Sequence, residues 1–310
     1  MIQHKQSTPT LLMIRPVKFG FNEQTAGSNA FQNKLDTSGE ELQAKALAEF
    51  DAFVLILKSN GINVLVIDDT PLPHTPDSIF PNNWISFHDN GDIVLYPMQA
   101  QNRRVERRED IIHTVEESFE VKQVVDLSHF ESFDQFLEGT GSLVLDRINN
   151  IAYACLSPRT DLQVVKVFSE KESYKILSFN AIDQRKQLIY HTNVLMCIGS
   201  GFVVICLDSV AKETEKEALL QSFKDTGKEL VNISFEQMNS FAGNMLEVEN
   251  INGEKLLVMS KQAYRSLNIS QIQILEHHTK IIYADISTIE TIGGGSARCM
   301  LAEVHLPIRK

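Results

Sequence analysis

The sequence predicts an α/β protein of five repeated αβ blades set around an axis, a propeller with pseudo-fivefold symmetry in which residues 1–310 form one domain. Three observations predict it: one order of elements recurs along the chain, the recurrences are evenly spaced, and no linker rich in proline, glycine or serine interrupts them. Each unit reads as a strand, a tight turn, a second strand ending in a small or polar residue, an amphipathic helix and a further strand. The second strands end at Tyr96, Leu156, Leu207 and Met259, which lie 60, 51 and 52 residues apart. Periods of this size mark propellers and arrays.

Taken in chain order, a strand over 11–15, a helix over 40–59 and a strand over 63–68 supply most of one unit, and strand material at 300–305 completes it if the chain ends meet. A strand over 92–98 precedes a helix from about 104 to 119, and a strand over 151–156 precedes Ser157, Pro158 and a helical pattern from Asp161. The apolar stretch 194–207 is broken by Gly199, Ser200 and Gly201, which reads as a hairpin between two buried strands. Its second strand leads into a charged helix around 211–225, and a strand over 255–259 leads into a helix over 261–277. A two-domain doubly wound protein is the alternative, but the G-x-G-x-x-G fingerprint that would support it is missing.

Composition narrows the function. With 310 residues and 43% of them hydrophobic the chain can bury a sizeable core, and a formal charge of -11 argues against nucleic acid as a partner. The one basic group, Arg103, Arg104, Arg107 and Arg108, is interleaved with Glu106, Glu109 and Asp110, as expected of a solvated helix face. No run of 18 apolar residues occurs, and the opening MIQHKQSTPT lacks the apolar core of a signal peptide. Cys155, Cys197, Cys206 and Cys299 show neither metal spacing nor a disulfide framework. A soluble cytoplasmic protein with a small-molecule partner and no membrane partner is expected, and a homo-oligomer is compatible with that.

Four motifs carry chemistry. Gly293, Gly294 and Gly295 lead through Ser296, Ala297 and Arg298 into Cys299, and adjacent glycines let backbone approach a ligand closely. The cysteine would then sit at the lip of a cavity. A thiol attacks as thiolate, which a nearby cation such as Arg298 or an imidazolium favours, although a buried cysteine is often only a small hydrophobe. His191 begins what reads as an apolar strand over 190–194, where alternation puts its side chain and that of Asn193 on one face. The remaining histidines, His4, His74, His88, His113, His129 and His305, fall in turns, helix faces or termini, and His277 with His278 ends a helix. Glu138 precedes Gly139, Thr140 and Gly141, a turn against which something packs closely or an exposed hairpin acid. Asp77 opens a stretch in which Phe80 and Trp84 flank Asn82 and Asn83 while Pro76 and Pro81 stiffen the backbone, a composition typical of ligand pockets; alternatively Asp77 caps its own turn.

Together and in order, D-x-x-F-x-N-N, E-G-T-G, H-T-N and G-G-G-S-A-R-C resemble the pentein, or guanidino-modifying, superfamily. It includes arginine deiminases, dimethylarginine dimethylaminohydrolases, agmatine deiminases and arginine:glycine amidinotransferases. The resemblance spans nearly the whole chain, extends to Arg15-Pro16 and Asn102-Arg103-Arg104, and is greatest for the bacterial branch associated with citrulline utilisation. It implies a pentein propeller with Cys299 as nucleophile, His191 as general acid/base and Glu138 as the carboxylate that pairs with substrate. It further implies Asp77 and Phe80 as substrate-binding residues, Arg103 or Arg104 as ligand of the substrate carboxylate, and no metal or organic cofactor.

Two departures from the family pattern bear on the substrate. Asn83 and Asn193 stand where guanidinium-processing relatives place aspartates, and an amide presents both a donor and an acceptor, which suits a neutral ureido group. The expected reaction is citrulline to ornithine, ammonia and carbon dioxide through a covalent Cys299 intermediate. An amidinotransferase and an arginine or dimethylarginine hydrolase are the rival enzymes. A catalytically silent pentein that only binds is the rival of another class, but such members lack the Cys, His and Glu set, and an acidic surface suits ribosomal RNA poorly.

Overall fold

Five three-stranded sheets arise from one repeated connection in the computed structural model, which describes residues 4–34 and 38–309. An inner strand pairs antiparallel with a middle strand, and the middle strand pairs in parallel with an outer strand after a helical crossover. The inner, middle and outer strands are Ile85–Phe87, Asp92–Leu95 and Gln123–Asp126 in one blade and Leu143–Asp146, Ile151–Cys155 and Lys175–Phe179 in the next. Met196–Ile198, Phe202–Ile205 and Glu229–Asn232 follow, then Leu246–Glu249, Lys255–Ser260 and Lys280–Ala284. In the closing blade Thr10–Arg15 pairs with Ala302–Glu303 on one side and Asn63–Asp68 on the other, so the two ends of the chain meet as expected. Inner strands are almost wholly buried while outer strands are half exposed, which sets the inner strands around the axis.

The crossover helices bury one stripe each. Gly39–Ser59 covers its blade with Leu42, Ala46, Phe50, Phe53 and Leu57 at helical spacing, and the Ser38 side chain caps it by accepting from the Glu41 amide. Two expected helices are each divided. The pattern over 104–119 is split into Gln101–Arg104 and Glu109–Glu116, with Arg108 extended between them. The pattern over 261–277 is split into Lys261–Ser266 and Ile269–His278, because Asn268 and Gln271 form a capping box that starts a new helix. No described helix is long and apolar enough to cross a membrane, and all four cysteines are free thiols.

Just before each inner strand the chain makes a short turn: Pro81–Asn83, Gly139–Ser142, Thr192–Leu195, the turn 241–244 and Ala297–Met300. These turns are buried and pack on one another near the axis. The strand read into 190–194 is therefore corrected: His191 is the N-cap of the turn Thr192–Leu195, and the strand starts at Met196. The Thr192 hydroxyl holds the turn by accepting from the Cys155 amide and donating to the Ser142 carbonyl.

Candidate active site

Three of the turns meet at one sulfur through Cys299, Asn193 and Asn244. Cys299 lies buried on Ala297–Met300, and its Sγ receives the Nδ2 groups of Asn193 at 3.5 Å and Asn244 at 3.3 Å. The glycine run has a specific cause. A Cβ on Gly293 or Gly295 would come within 2.7 or 2.9 Å of the Phe80 ring, and Gly294 takes φ +65° to end the helix Ser287–Gly293. Arg298 does not reach the sulfur: its guanidinium turns to Glu303 at 2.8 Å and to the Leu301 carbonyl.

Glu138 is buried, not an exposed hairpin acid, and its Oε2 lies 2.8 Å from His191 Nε2 and 3.5 Å from the Arg159 guanidinium. The flanking glycines make this contact possible. A Cβ on Gly139 would sit 2.3 Å from the Asn82 carbonyl, and one on Gly141 2.8 Å from His191 Nδ1. Burial opposes ionisation of Glu138, but Arg159, the His191 hydrogen bond and Arg103 outweigh it and hold the carboxyl at about 2. Burial lowers the His191 pKa below its ordinary value although Glu138 pulls it up, which favours the neutral imidazole.

Asp77 Oδ2 accepts from Asn22 at 2.7 Å and from the Thr25 hydroxyl, while Oδ1 is buried without a partner. Burial raises the Asp77 pKa, opposed by Arg103 and the Asn22 hydrogen bond. Arg103 belongs to no solvated helix face. It is buried, bonded to Glu106 at 2.9 Å, to Asn83 Oδ1 at 2.7 Å and to the Phe80 carbonyl. Asn83 is thereby committed within the protein, since its Nδ2 also donates to Asn82 Oδ1. Arg104 contacts the Met98 and Gln99 carbonyls and Glu131, outside this cluster.

The segment 22–33 is hydrogen-bonded onto these residues. Asn22 and Thr25 bond Asp77, Thr25 and Ser28 accept from Arg159, and Asn29 bonds the carbonyls of Gly293 and Gly294. A cavity of about 630 Å³ lies on this segment, lined among others by Ser28, Phe31, Arg159, Tyr190, Phe241 and Glu290; Cys299 is buried and does not line it, so the expected place at a cavity lip is not what the fold gives it. Among the described residues no group of three or more His, Cys, Asp or Glu is arranged to hold a metal ion. Sequence reasoning missed Asn22, Arg159 and Asn244. Asn244 was the findable one, because F-A-G-N-M stands before its inner strand much as Ala297 to Met300 stands before the closing one.

The five αβ blades, together with a family match over residues 15–306, place the chain in the pentein guanidino-modifying superfamily. Over residues 15–306 the sequence matches the family described as N,N dimethylarginine dimethylhydrolase, eukaryotic, and the chain belongs to that family. No curated protein matches it by sequence. Among solved structures it is similar to apo ArgZ, an arginine dihydrolase from the ornithine-ammonia cycle in cyanobacteria, with 17% identity and a TM-score of 0.75 over 97% of this chain and 41% of that one. The N-terminal domain of an ArgZ variant covalently bound to a reaction intermediate matches with 18% identity and a TM-score of 0.73, over 97% of this chain and 99% of that one. A dimethylarginine dimethylaminohydrolase adduct with 4-chloro-2-hydroxymethylpyridine matches with 17% identity and a TM-score of 0.65, over 95% and 98%. The chain thus spans about 41% of full-length ArgZ, and at these identities the shared property is the fold.

Proposed function

We propose that the chain is a cysteine-dependent hydrolase of a ureido or guanidino amino acid, with citrulline as the substrate and ornithine, ammonia and carbon dioxide as the products. The observation that carries the ureido reading is the pair of neutral carboxamides on the Cys299 sulfur, with Asn193 Oδ1 buried and without a partner. A ureido N–H would satisfy that acceptor without bringing in a charge. Two nearby carboxylates already have cations, Glu106 in Arg103 and Glu138 in Arg159. Four free thiols suit a reducing, cytoplasmic setting.

In this mechanism neutral His191 takes the Cys299 proton, and ionised Glu138 stabilises the imidazolium that results. The thiolate attacks the planar carbon, a C–S bond forms, and a C–N bond breaks as the imidazolium protonates the departing nitrogen. Water then attacks the thiocarbamate while His191 takes its proton. The C–S bond breaks, the thiol is restored, and the released carbamate loses carbon dioxide. Asp77 and Phe80 bound the substrate side.

A guanidinium substrate, arginine or a methylated arginine, is the second reading, favoured by the buried and unpartnered Asp77 Oδ1. The measurement that separates the two is kcat/KM for citrulline, arginine and dimethylarginine, with ammonia and product amino acids quantified. If the amides leave about 3 kcal/mol of guanidinium desolvation uncompensated, citrulline is preferred by roughly 100-fold. Asn193→Asp should narrow or reverse that preference, whereas Asn83→Asp acts on a group already committed to Arg103. Wild-type preference for arginine would end the ureido reading and leave the Cys299 chemistry intact. Turnover that requires an added acceptor amine would instead identify an amidinotransferase.

A further inference from the structure

We propose that Asn244 is a catalytic residue whose carboxamide donates to the Cys299 sulfur, doing with a neutral N–H what a cation does beside other reactive thiols. The inference rests on Cys299 being the nucleophile. Asn244 Oδ1 accepts from the Arg298 backbone N–H at 3.0 Å, and a backbone N–H can only donate, so the orientation of the amide is fixed. Nδ2 therefore faces the sulfur at 3.3 Å and the Asn193 carbonyl at 3.0 Å, two acceptors for its two hydrogens, while Oδ1, which the protonated thiol can reach only at 3.7 Å, lies farther from the sulfur than Nδ2. The turn that carries it is rigidly seated. A Cβ on Gly243 would lie 2.3 Å from the Val194 carbonyl oxygen, and the Asn244 amide closes the turn onto the Phe241 carbonyl at 2.8 Å.

Among the described residues no arginine or lysine bonds the Cys299 sulfur. Arg298 is held by Glu303, Arg159 bonds Ser28 and the Thr25 carbonyl beside Glu138, and the sulfur's hydrogen-bond partners are Asn193 and Asn244. The two amides also differ from each other. Asn193 keeps a free Oδ1 that a substrate can use, whereas every polar atom of the Asn244 side chain is already engaged inside the protein. A donor held on sulfur in a buried site favours the charged form of the thiol. It serves twice: it supports the thiolate before attack, and it receives the charge returning to sulfur when the C–S bond breaks.

The test compares Asn244→Ala and Asn244→Asp by the rate of iodoacetamide modification at Cys299, read by peptide mass spectrometry from pH 5 to 10, with thermal melts alongside. Aspartate keeps the acceptor for the Arg298 amide but sets oxygen against sulfur. Alkylation at pH 7 should fall roughly 10- to 100-fold in Asn244→Ala and further in Asn244→Asp. A residue that only positioned the Arg298 loop would be rescued by aspartate, so wild-type alkylation in Asn244→Asp overturns the proposal. Should that variant not fold, a wild-type profile in Asn244→Ala overturns it equally. Alkylation requires no substrate. Absence of wild-type turnover on citrulline and arginine would therefore remove the proposed substrate while leaving this inference to stand or fall on its own readout.

Discussion

Cys299 and Arg298 are neighbours in sequence, yet their side chains enter two different polar interiors. Cys299 meets two neutral amides, Asn193 and Asn244, and Asn193 keeps a buried acceptor without a partner. Arg298 joins an ion network in which Glu303 meets Arg298 at 2.8 Å, His305 at 3.4 Å and Arg147 at 3.8 Å. Burial opposes ionisation of Glu303, but Arg298 and Arg147 hold its carboxyl far below the usual range. The difference separates two uses of buried polarity. In the Arg298 network the buried charges are matched within the protein, whereas Asn193 beside Cys299 is left with open hydrogen-bonding capacity.

The largest effect that would test this division falls on the first cluster. Cys299→Ser should abolish turnover of every substrate while leaving the melting temperature close to wild type, because a hydroxyl is far less readily ionised than a thiol in the same place. His191→Ala should lower kcat by about 100- to 10,000-fold with a smaller effect on KM, the range of a positioned acid/base. Steady-state kinetics with thermal melts reads both. Near-wild-type rates in either variant would move this cluster into the structural class.

A converse effect is expected one residue earlier. Arg298→Met leaves Glu303 buried without its nearest cation, and breaking a buried pair from one side costs about 3–5 kcal/mol. Urea denaturation measures that loss. Alkylation of Cys299 should meanwhile stay close to the wild-type rate, since the Arg298 backbone N–H that orients Asn244 survives the substitution. Lost alkylation at unchanged stability would make Arg298 the activating cation that its position in the sequence implies, and the two interiors would no longer be distinct.

Most of the blade architecture was legible because strands and long helices repeat their apolar residues at fixed periods. Leu42, Ala46, Phe50, Phe53 and Leu57 mark one helix, and Gly199 to Gly201 mark one hairpin without further context. The turns that build the site are only a few residues long, so no period can form within them. His191 was consequently assigned to a strand. Cys299, Glu138 and Asp77 were legible through the glycines, prolines and aromatics around them, whose close approaches leave a trace in sequence. Asn244 and Arg159 were not, because a lone asparagine or arginine acquires its meaning from neighbours far away in the chain, Cys299 for the one and Glu138 for the other. Arg103 was misplaced for a related reason. Its charge reads as solvated until Glu106 and Asn83 are seen enclosing it.

The smallest effect distinguishes two glutamates that both touch the nucleophile loop. Glu303 meets a cation, whereas Glu290 accepts from the Ser296 hydroxyl at 2.6 Å, and the Ser296 carbonyl in turn accepts from the Cys299 amide. Burial pushes the Glu290 carboxyl up to about 7, against the hydrogen bonds from Ser260 and Ser296. A raised carboxyl means that the folded protein binds an extra proton between its ordinary value of 4.5 and about 7. That contribution to stability is fully present below the lower value and lost as pH rises through the upper one, a change of about 3 kcal/mol. Glu303, with its lowered carboxyl, acts in the opposite sense, contributing above its ordinary value and failing as the solution becomes acid. Glu106 and Glu172 are also pushed up to about 7, so the wild-type slope alone cannot assign the effect. The difference between Glu290→Gln and wild type can. Urea denaturation at pH 5 and pH 8 should show the variant gaining about 2–3 kcal/mol relative to wild type across that interval. A difference that stays flat between the two pH values would place Glu290 with the matched charges around Glu303.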